Sequence, residues 1–459
     1  MVVSEVPEFV ISFAKNIALE GGRALCVGGS VRDRVIGLPA HDWDMEVYGL
    51  NPAQLEKILK EYGNVVFVGK IYGVYRLINP PLDVSLPRKD RACGSGHKDF
   101  DVTVDSALSF EEAFRRRDLT MNSIGYDPLT CEWVDPFQGI KDIKDKVLRA
   151  TDPVTFVEDP LRALRVAQFV GRFEMRPDPS LIELCKQIDL SSLSGERVYW
   201  EFVKLLTLSR KPSLGFEFLR QTGLLRFFPL LKSLVDVPQD LIWHPEGDVW
   251  THTMMVIDAA AGLRTGDKAK DGVLMFACLC HDVGKVEATY FDGVHIRSKG
   301  HEMMGVKPTQ EFLEGLRAPN VVIQQIGGLV RWHLSPVALP LGGANVSAYR
   351  RLARELQKAG LSMMDLYRVA LADHRGRGVN VHTAKSLDAL EVFKSSIEAY
   401  QLDKAFPEDK VTGGMLMSRG MKPGPEIGRM LEVCRAIQDE EPHLPAHDIL
   451  ERAFKVECG

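Results

Sequence analysis

Two sets of residues in this 459-residue chain have the types and spacing to do chemistry. The first is Val27-Gly28-Gly29-Ser30-Val31-Arg32-Asp33, followed shortly by His41-Asp42-Trp43-Asp44. Two glycines at a turn leave room for backbone N–H groups to approach a phosphate closely. Arg32 can add a planar fork of donors to phosphate oxygens. Asp42 and Asp44 are two residues apart, so on a strand both point to one face. Like charges placed together are relieved by a divalent cation between them. Oxygen ligands on a hard cation beside a phosphate-binding turn describe a Mg²⁺ site for phosphoryl or nucleotidyl transfer. The second set is scattered: His252, His281-Asp282 with Gly284-Lys285, His301, His333 and Asp373. A lone histidine on an apolar helix is usually a packed core residue. A contiguous His-Asp differs, because adjacent helical residues diverge by about 100° and can share one ion only at a helix end or bend. Gly284 supplies that end.

The elements that must hold these residues follow from the hydrophobic pattern. Residues 1–150 mix strand and helix signals. β-rich runs at Ala24 to Val27, Val65 to Val68, Val74 to Ile78, Leu82 to Leu86 and Phe100 to Val104 alternate with a helical stretch from Pro52 to Tyr62. A small mixed sheet with helices suits this pattern. Arg88 to Lys98, polar and Gly-containing, reads as a mobile loop. Beyond residue 150 apolar residues recur at three and four, the period of helices. Boundaries are expected near residues 150, 240 and 377, giving 1–150, 151–240, 241–377 and 378–459. The fold class is α+β.

Composition narrows the setting. The net charge of −5 excludes a bulk basic character, so any nucleic-acid contact rests on local patches. Eight scattered cysteines, the closest being Cys278 and Cys280 in an apolar run, read as buried free thiols of a reducing compartment. No apolar run is long enough to span a membrane, and no membrane partner is expected. The N-terminus carries acidic residues before basic ones and lacks a signal-peptide pattern. The cytoplasm is the expected compartment.

Three further segments carry function. Arg115-Arg116-Arg117-Asp118-Leu119-Thr120-Met121-Asn122 follows a Ser109/Glu112 capping box. Glu158-Asp159-Pro160-Leu161-Arg162-Ala163-Leu164-Arg165 opens a helix, with Asp159 a good N-cap and Pro160 a good first residue. As a carboxylate, Asp159 accepts only, so it suits the exocyclic amino group of cytosine or adenine. Arg162 donates only, and suits cytosine N3/O2 or adenine N1. Uracil and guanine would set acceptor against acceptor. Leu193-Ser194-Gly195-Glu196-Arg197-Val198 leads into an apolar helix.

In this order, Gly28-Gly29-Ser30-Val31-Arg32-Asp33, Asp42-Trp43-Asp44, the arginine segment, Glu158-Asp159-x-x-Arg162 and Ser194-x-Glu196-Arg197 resemble the class II tRNA nucleotidyltransferases and the related bacterial poly(A) polymerases. The resemblance runs from Val27 to about Leu208. It implies a polymerase-β-like nucleotidyltransferase head, a helical neck, and template-independent addition of C and A to tRNA from CTP and ATP. It implies that Asp42 and Asp44 hold Mg²⁺, with Asp83 as third carboxylate and Asp101 its competitor. It implies that Gly29, Ser30 and Arg32 hold the triphosphate, that Arg117 touches the nucleotide, and that Asp159, Arg162 and Arg165 complete the base site. Asp118 and Asn122 would order the site, and Glu196 and Arg197 would buttress the neck. Gln168 stands where relatives often carry another arginine. The histidine set resembles the HD phosphohydrolase superfamily. That implies His252, His281, Asp282 and Asp373 on a divalent transition metal such as Mn²⁺, Ni²⁺ or Co²⁺, with His374 competing with Asp373. Lys285, His301 and His333 would meet a second ion or the substrate phosphate. The tail segment Gly420 to Gly428 resembles the tail of these transferases. The chain is expected as a monomer or homodimer with tRNA as partner. The alternatives are a poly(A) polymerase of the same class, or an HD phosphohydrolase with a non-catalytic RNA-binding head.

Overall fold

The structure is a computed structural model and describes residues 6–40, 42–63, 65–69, 74–92, 100–377, 381–403 and 408–458. The chain divides into two units, residues 1–228 and 229–459.

The first unit is built on a sheet of seven strands: β1 (Arg23–Val27), β2 (Asp44–Tyr48), β3 (Val65–Gly69), β4 (Val74–Leu77), β5 (Leu82–Ser85), then β8 (Gly125–Tyr126) and β9 (Trp133–Val134), in the order β3-β4-β5-β2-β1-β8-β9. β1 lies antiparallel to β2 and β8, while β2 and β5 run parallel, so the sheet is mixed as its composition suggested. Helices α1 (Glu8–Leu19), α2 (Gly29–Ile36) and α3 (Pro52–Glu61) accompany it. Asn51 caps α3 with a full capping box and Pro52 opens it. The strands bury Leu25, Val27 and Tyr48 against Leu108, Ala113 and Phe114.

One expectation changes here. Arg88 onward is not loop at its start: β6 (Arg88–Ala92) pairs antiparallel with β7 (Phe100–Val104) in a separate ribbon. Backbone pairing across the ribbon outweighs the polar composition that suggested a loop. Residues 93–98 of that expectation lie outside the described residues.

Past residue 150 the first unit is helical, apart from a two-residue parallel pairing of Val147–Leu148 with Arg176–Pro177. Helices α4 (Leu161–Phe173) and α5 (Gly195–Leu208) carry the segments of interest. Residues 229–240 lie in the second unit rather than with the neck, because Leu234 and Val237 carbonyls accept the Trp250 and Val249 N–H groups. That unit contains α6 (Val249–Ala261), α7 (Lys268–Cys280), α8 (Asn320–Trp332) and α9 (Met363–Arg375), with a short hairpin at Tyr290–Phe291 and Ile296–Arg297. The tail closes its own apolar cluster around Leu416, Met430, Cys434 and Ile449. Among the described residues six cysteines are free thiols; five are buried and Cys131 is exposed. No helix is long and apolar enough to cross a membrane.

Candidate functional site

The first site forms where β1 ends and α2 begins. Gly28 sits at φ +76°, where a side chain is disfavoured. A Cβ there would lie 2.9 Å from Asp44 Oδ2. Glycine therefore allows the carboxylate to rest against the turn. Register places Asp44 opposite Val27 on one side and beside Asp83 of β5 on the other. Asp42 is exposed and precedes β2, which begins only at Asp44. The strand expected to present both aspartates thus holds one of them, with Asp42 close enough for its charge to act on Asp44. Burial, then the neighbouring Asp83 and Asp42, push the Asp44 carboxyl up to about 6 against the pull of Arg117. A carboxylate crowded in this way by two others is a setting that a hard dication relieves. Asp83 is gripped by both arms of Arg76 at 2.6 and 2.5 Å. Asp101 lies on β7, in the separate ribbon rather than the sheet carrying Asp44.

A cavity of about 550 Å³ opens beside this turn. Gly29, Arg32, Asp44, Arg117, Asp159, Arg162, Arg165 and Gln168 all line it, together with Arg116, Asp118 and Asn122. Cations outnumber carboxylates along its wall, which suits a polyphosphate. Ser30 does not reach it: the side chain is buried and its hydroxyl donates to the Val27 carbonyl. A short hydroxyl finishing the strand end satisfies that carbonyl instead.

The charged side chains are tied into one network. Arg32 bonds Asp33 at 2.8 Å and Asn122 Oδ1 at 3.0 Å, and lies over Phe169 and Phe173. Asn122 donates to Asp118 at 2.9 Å, and Arg165 donates to the other oxygen of Asp118 at 2.7 Å. Burial alone would raise the Asp118 carboxyl, but Arg165, Asn122 and the Leu119 N–H hold it at about 2. Arg162 donates to the Thr155 and Arg116 carbonyls, both at 2.6 Å. Asp159 accepts the Leu161 N–H at 3.1 Å and takes both carboxylate contacts from Arg197 at 3.2 and 3.3 Å. The helix begins one residue later than expected, with Pro160 at the N-cap position rather than first in the helix; Asp159 precedes the cap, takes the Leu161 N–H and lines the cavity.

Sequence reasoning missed Glu46. It is fully buried and accepts from Arg116 and Arg117 at 3.1 and 3.2 Å, with the Tyr48 hydroxyl as a further donor. The signal was the continued alternation Asp42-x-Asp44-x-Glu46, which places a third acid two residues on from Asp44.

The second site lies wholly in the second unit. α7 ends at Cys280, so His281 and Asp282 stand at a helix end, as their adjacency required. A Cβ on Gly284 would lie 2.0 Å from the His301 carbonyl oxygen, so only glycine lets the His301 segment pack this close. His252 Nε2 lies 3.3 Å from His281 Nε2 and 3.0 Å from Asp373 Oδ1. His301 Nε2 lies 3.3 Å from His333 Nε2 and 3.0 Å from Asp282 Oδ1. Asp282 Oδ2 faces His281 Nε2 at 3.2 Å, so its two oxygens serve two neighbouring clusters.

The opposite ring atoms decide what these clusters can hold. Nδ1 of His281, His301 and His333 each meets the carbonyl three residues earlier, at 2.7–2.8 Å. Nδ1 of His252 meets Glu246 Oε1 at 2.7 Å. Carbonyls and carboxylates only accept, so each Nδ1 is the donor and each neutral ring presents a lone pair at Nε2. Lone pairs facing each other at 3.3 Å need a cation or a proton between them. Burial holds His333 down to about 3, while Asp282 overcomes burial to draw His281 and His301 upward. The donor set fits divalent transition metals. Lys285 pairs with Asp282 Oδ2 and with Gln239 Oε1, both at 2.7 Å. Asp373 points into the cluster, also gripped by Arg377, while His374 turns away to Ser386. Glu246, Gln239 and Arg377 carried no motif and were not foreseen; only the neighbouring His244 hinted at the first.

Comparison with known proteins matches residues 24–149 to the Poly A polymerase head domain and residues 180–234 to the family described as a probable RNA and SrmB-binding site of polymerase A. A Multifunctional CCA protein of Xanthomonas campestris is 37% identical over 322 residues, covering 68% of this chain and 75% of that protein. One from Methylobacillus flagellatus is 35% identical over 391 residues, covering 83% and 89%. The Bacillus stearothermophilus CCA-adding enzyme in complex with CTP shares the fold with a TM-score of 0.70 at 21% identity, covering 98% of each chain. The Thermotoga maritima CCA-adding enzyme complexed with tRNA does so at 0.61 and 18%, covering 99% of this chain and 97% of that one.

Proposed function

The chain belongs to the class II CCA-adding tRNA nucleotidyltransferases, and from that premise we propose that its 550 Å³ cavity seats CTP or ATP, with Asp42 and Asp44 as carboxylates of the metal site. CCA-adding nucleotidyltransferases depend on divalent metal, generally Mg²⁺. The observation that carries the proposal is Asp44, held against the Gly28–Gly29 turn beside Asp83 and opening on the cation-rich cavity. Bound there, Mg²⁺ would lower the pKa of the attacking tRNA hydroxyl and neutralise departing pyrophosphate. The residues do the rest. The Gly29 backbone, Arg32 and Arg117 receive the triphosphate. Asp159 and Arg162 read the base edge, accepting from its amino group and donating to its ring nitrogen. Arg165 and Asn122 fix Asp118, and Arg197 fixes Asp159, so the reading groups arrive oriented. Residues 1–150 would form the head and 151 onward the neck. Product sizing on tRNA lacking its 3′ end tests this: addition should stop after C, C and A, whereas a poly(A) polymerase keeps adding adenosine.

A second activity is favoured by one observation, the convergence of four histidine Nε2 lone pairs on Asp282. Residues 241–377 would form an HD phosphohydrolase domain, with residues 378–459 as the tail. His252, His281, Asp282 and Asp373 would hold Mn²⁺, Ni²⁺ or Co²⁺, and His301 and His333 a second ion or the phosphate. Such an ion would activate water for attack on a phosphoester. Lys285, held by Asp282 and Gln239, lines a second cavity together with His301, His333 and Asp373 and would meet the phosphate there. Hydrolysis of 2′,3′-cyclic nucleotides or 2′-phosphates with Mn²⁺, Ni²⁺ or Co²⁺ supplied is the test.

A further inference from the structure

Helix α5 borders the nucleotide cavity and carries one exposed row, Trp200, Lys204 and Leu208. Steps of four residues put all three on one face. Trp200 is 51% and Leu208 47% exposed, yet the helix has already buried its own apolar side through Phe202, Leu205 and Leu206. Lys204 and Leu208 line the cavity itself. The Lys204 ammonium is fixed at the rim by Glu201 at 2.8 Å. Glu201 is buried, and its second oxygen has no partner. A buried acid therefore holds a cation at the cavity edge, with N–H bonds left for something else.

The incoming nucleotide does not need this row. Its base edge is served by Asp159 and Arg162 and its phosphates by Arg32 and Arg117. The reaction has a second substrate, though, a polynucleotide whose 3′-hydroxyl must enter the same cavity. An aromatic face and a cation, about 6 Å apart along a helix, are the parts that bind single-stranded nucleic acid. The segment matched to an RNA-binding family contains the row. We propose that Trp200, Lys204 and Leu208 seat the last nucleotides of the tRNA 3′ end. One base stacks on Trp200, the adjoining phosphate pairs with Lys204, and Leu208 packs on the sugar nearest the cavity. Stacking tolerates any base, which suits a primer whose terminal base changes with each addition. The proposal rests on the transferase reading of the cavity.

Steady-state addition of CTP and ATP to a tRNA ending before its two cytidines provides the test. Trp200→Ala should raise the KM for tRNA about tenfold, as loss of one base–aromatic stack does. The CTP affinity of the same variant, measured by calorimetry, should hold, and Trp200→Phe should restore most of the tRNA KM. Lys204→Ala should raise the tRNA KM and lessen its salt dependence by about one phosphate contact. An unchanged tRNA KM in Trp200→Ala overturns the proposal. So does a parallel loss of CTP affinity, which marks a structural role. A change in oligomeric state on light scattering overturns it too, since a second copy would then cover the row. If the wild-type chain adds nothing to tRNA, the transferase reading fails, and filter binding of tRNA to the wild type and Trp200→Ala still decides the row.

Discussion

Each reactive group at either site is set by its immediate neighbours. Asp44 is crowded by Asp83 and Asp42, and its substitution removes the carboxylate that rests against the Gly28–Gly29 turn. Asp44→Ala or Asp42→Ala should cut nucleotide addition by more than about 100-fold, beyond what losing an outer-shell partner costs. CTP affinity should stay within a few-fold, because the base and phosphate contacts remain; addition assays in Mg²⁺ beside nucleotide calorimetry check both. Asp159→Ala or Arg162→Ala should act differently. A hydrogen bond to a charged group is worth about 1.5–3 kcal/mol, so discrimination against UTP and GTP should fall roughly 10–100-fold, read as misincorporation. Asp118 gives a pH prediction. Its carboxyl sits at about 2 in the folded chain, below the ordinary value of about 3.9. The stability it contributes is complete above pH ~4 and is lost as pH falls toward 2. The gap in thermal stability between wild type and Asp118→Asn should therefore be widest near neutral pH and close below pH ~3. The residues that carried these arguments were legible in sequence where a motif held them: Asp42, Asp44, Asp159, Arg162, His281, Asp282. Glu46 was not, because its partners Arg116 and Arg117 lie 70 and 71 residues further along the chain; Glu246 and Arg377 have near partners, His252 and Asp373, but sit in no motif that singles them out.

At the scale of elements, pattern showed which segments are strands or helices better than it showed how they join. The runs at Val74 and Leu82 and the helix at Pro52 formed close to where periodicity put them. The Arg88 segment became a strand because it pairs antiparallel with β7, which its polar composition does not signal. His281-Asp282 needed a helix end, and α7 ends there. That break also explains Gly284. A methyl group at this position would overlap the His301 carbonyl at 2.0 Å, so the segments flanking the cluster would have to separate. Gly284→Ala should cost about 1–3 kcal/mol, the usual penalty of overpacking. It should lower the affinity for Mn²⁺ as His301 moves off Asp282. Melting curves of the full chain with and without Mn²⁺ check this: the metal-induced rise in the wild type should shrink in the variant.

At the scale of the whole molecule, the chain carries two sites with different chemistry in two separately packed units. The first is crowded carboxylates and arginines at the start of a sheet-borne helix, the proposed seat of a hard cation and a triphosphate. The second is buried imidazoles around one shared aspartate, matched to softer cations. His252, His281, Asp282, His301 and His333 all converge within the second unit. His281→Ala should then abolish metal-dependent phosphoester hydrolysis, since it removes one Nε2 and leaves the Asp282 oxygen beside it without its imidazole. Nucleotide addition to tRNA by the same full-length variant should continue at close to the wild-type rate. Asp44→Ala should give the mirror image, with addition lost and hydrolysis kept. Assaying both variants for both reactions in one preparation separates the cases. Joint loss of the two activities in either variant would mean that the units depend on each other for folding or for substrate, and hydrolysis surviving in His281→Ala would remove the imidazole cluster from that reaction.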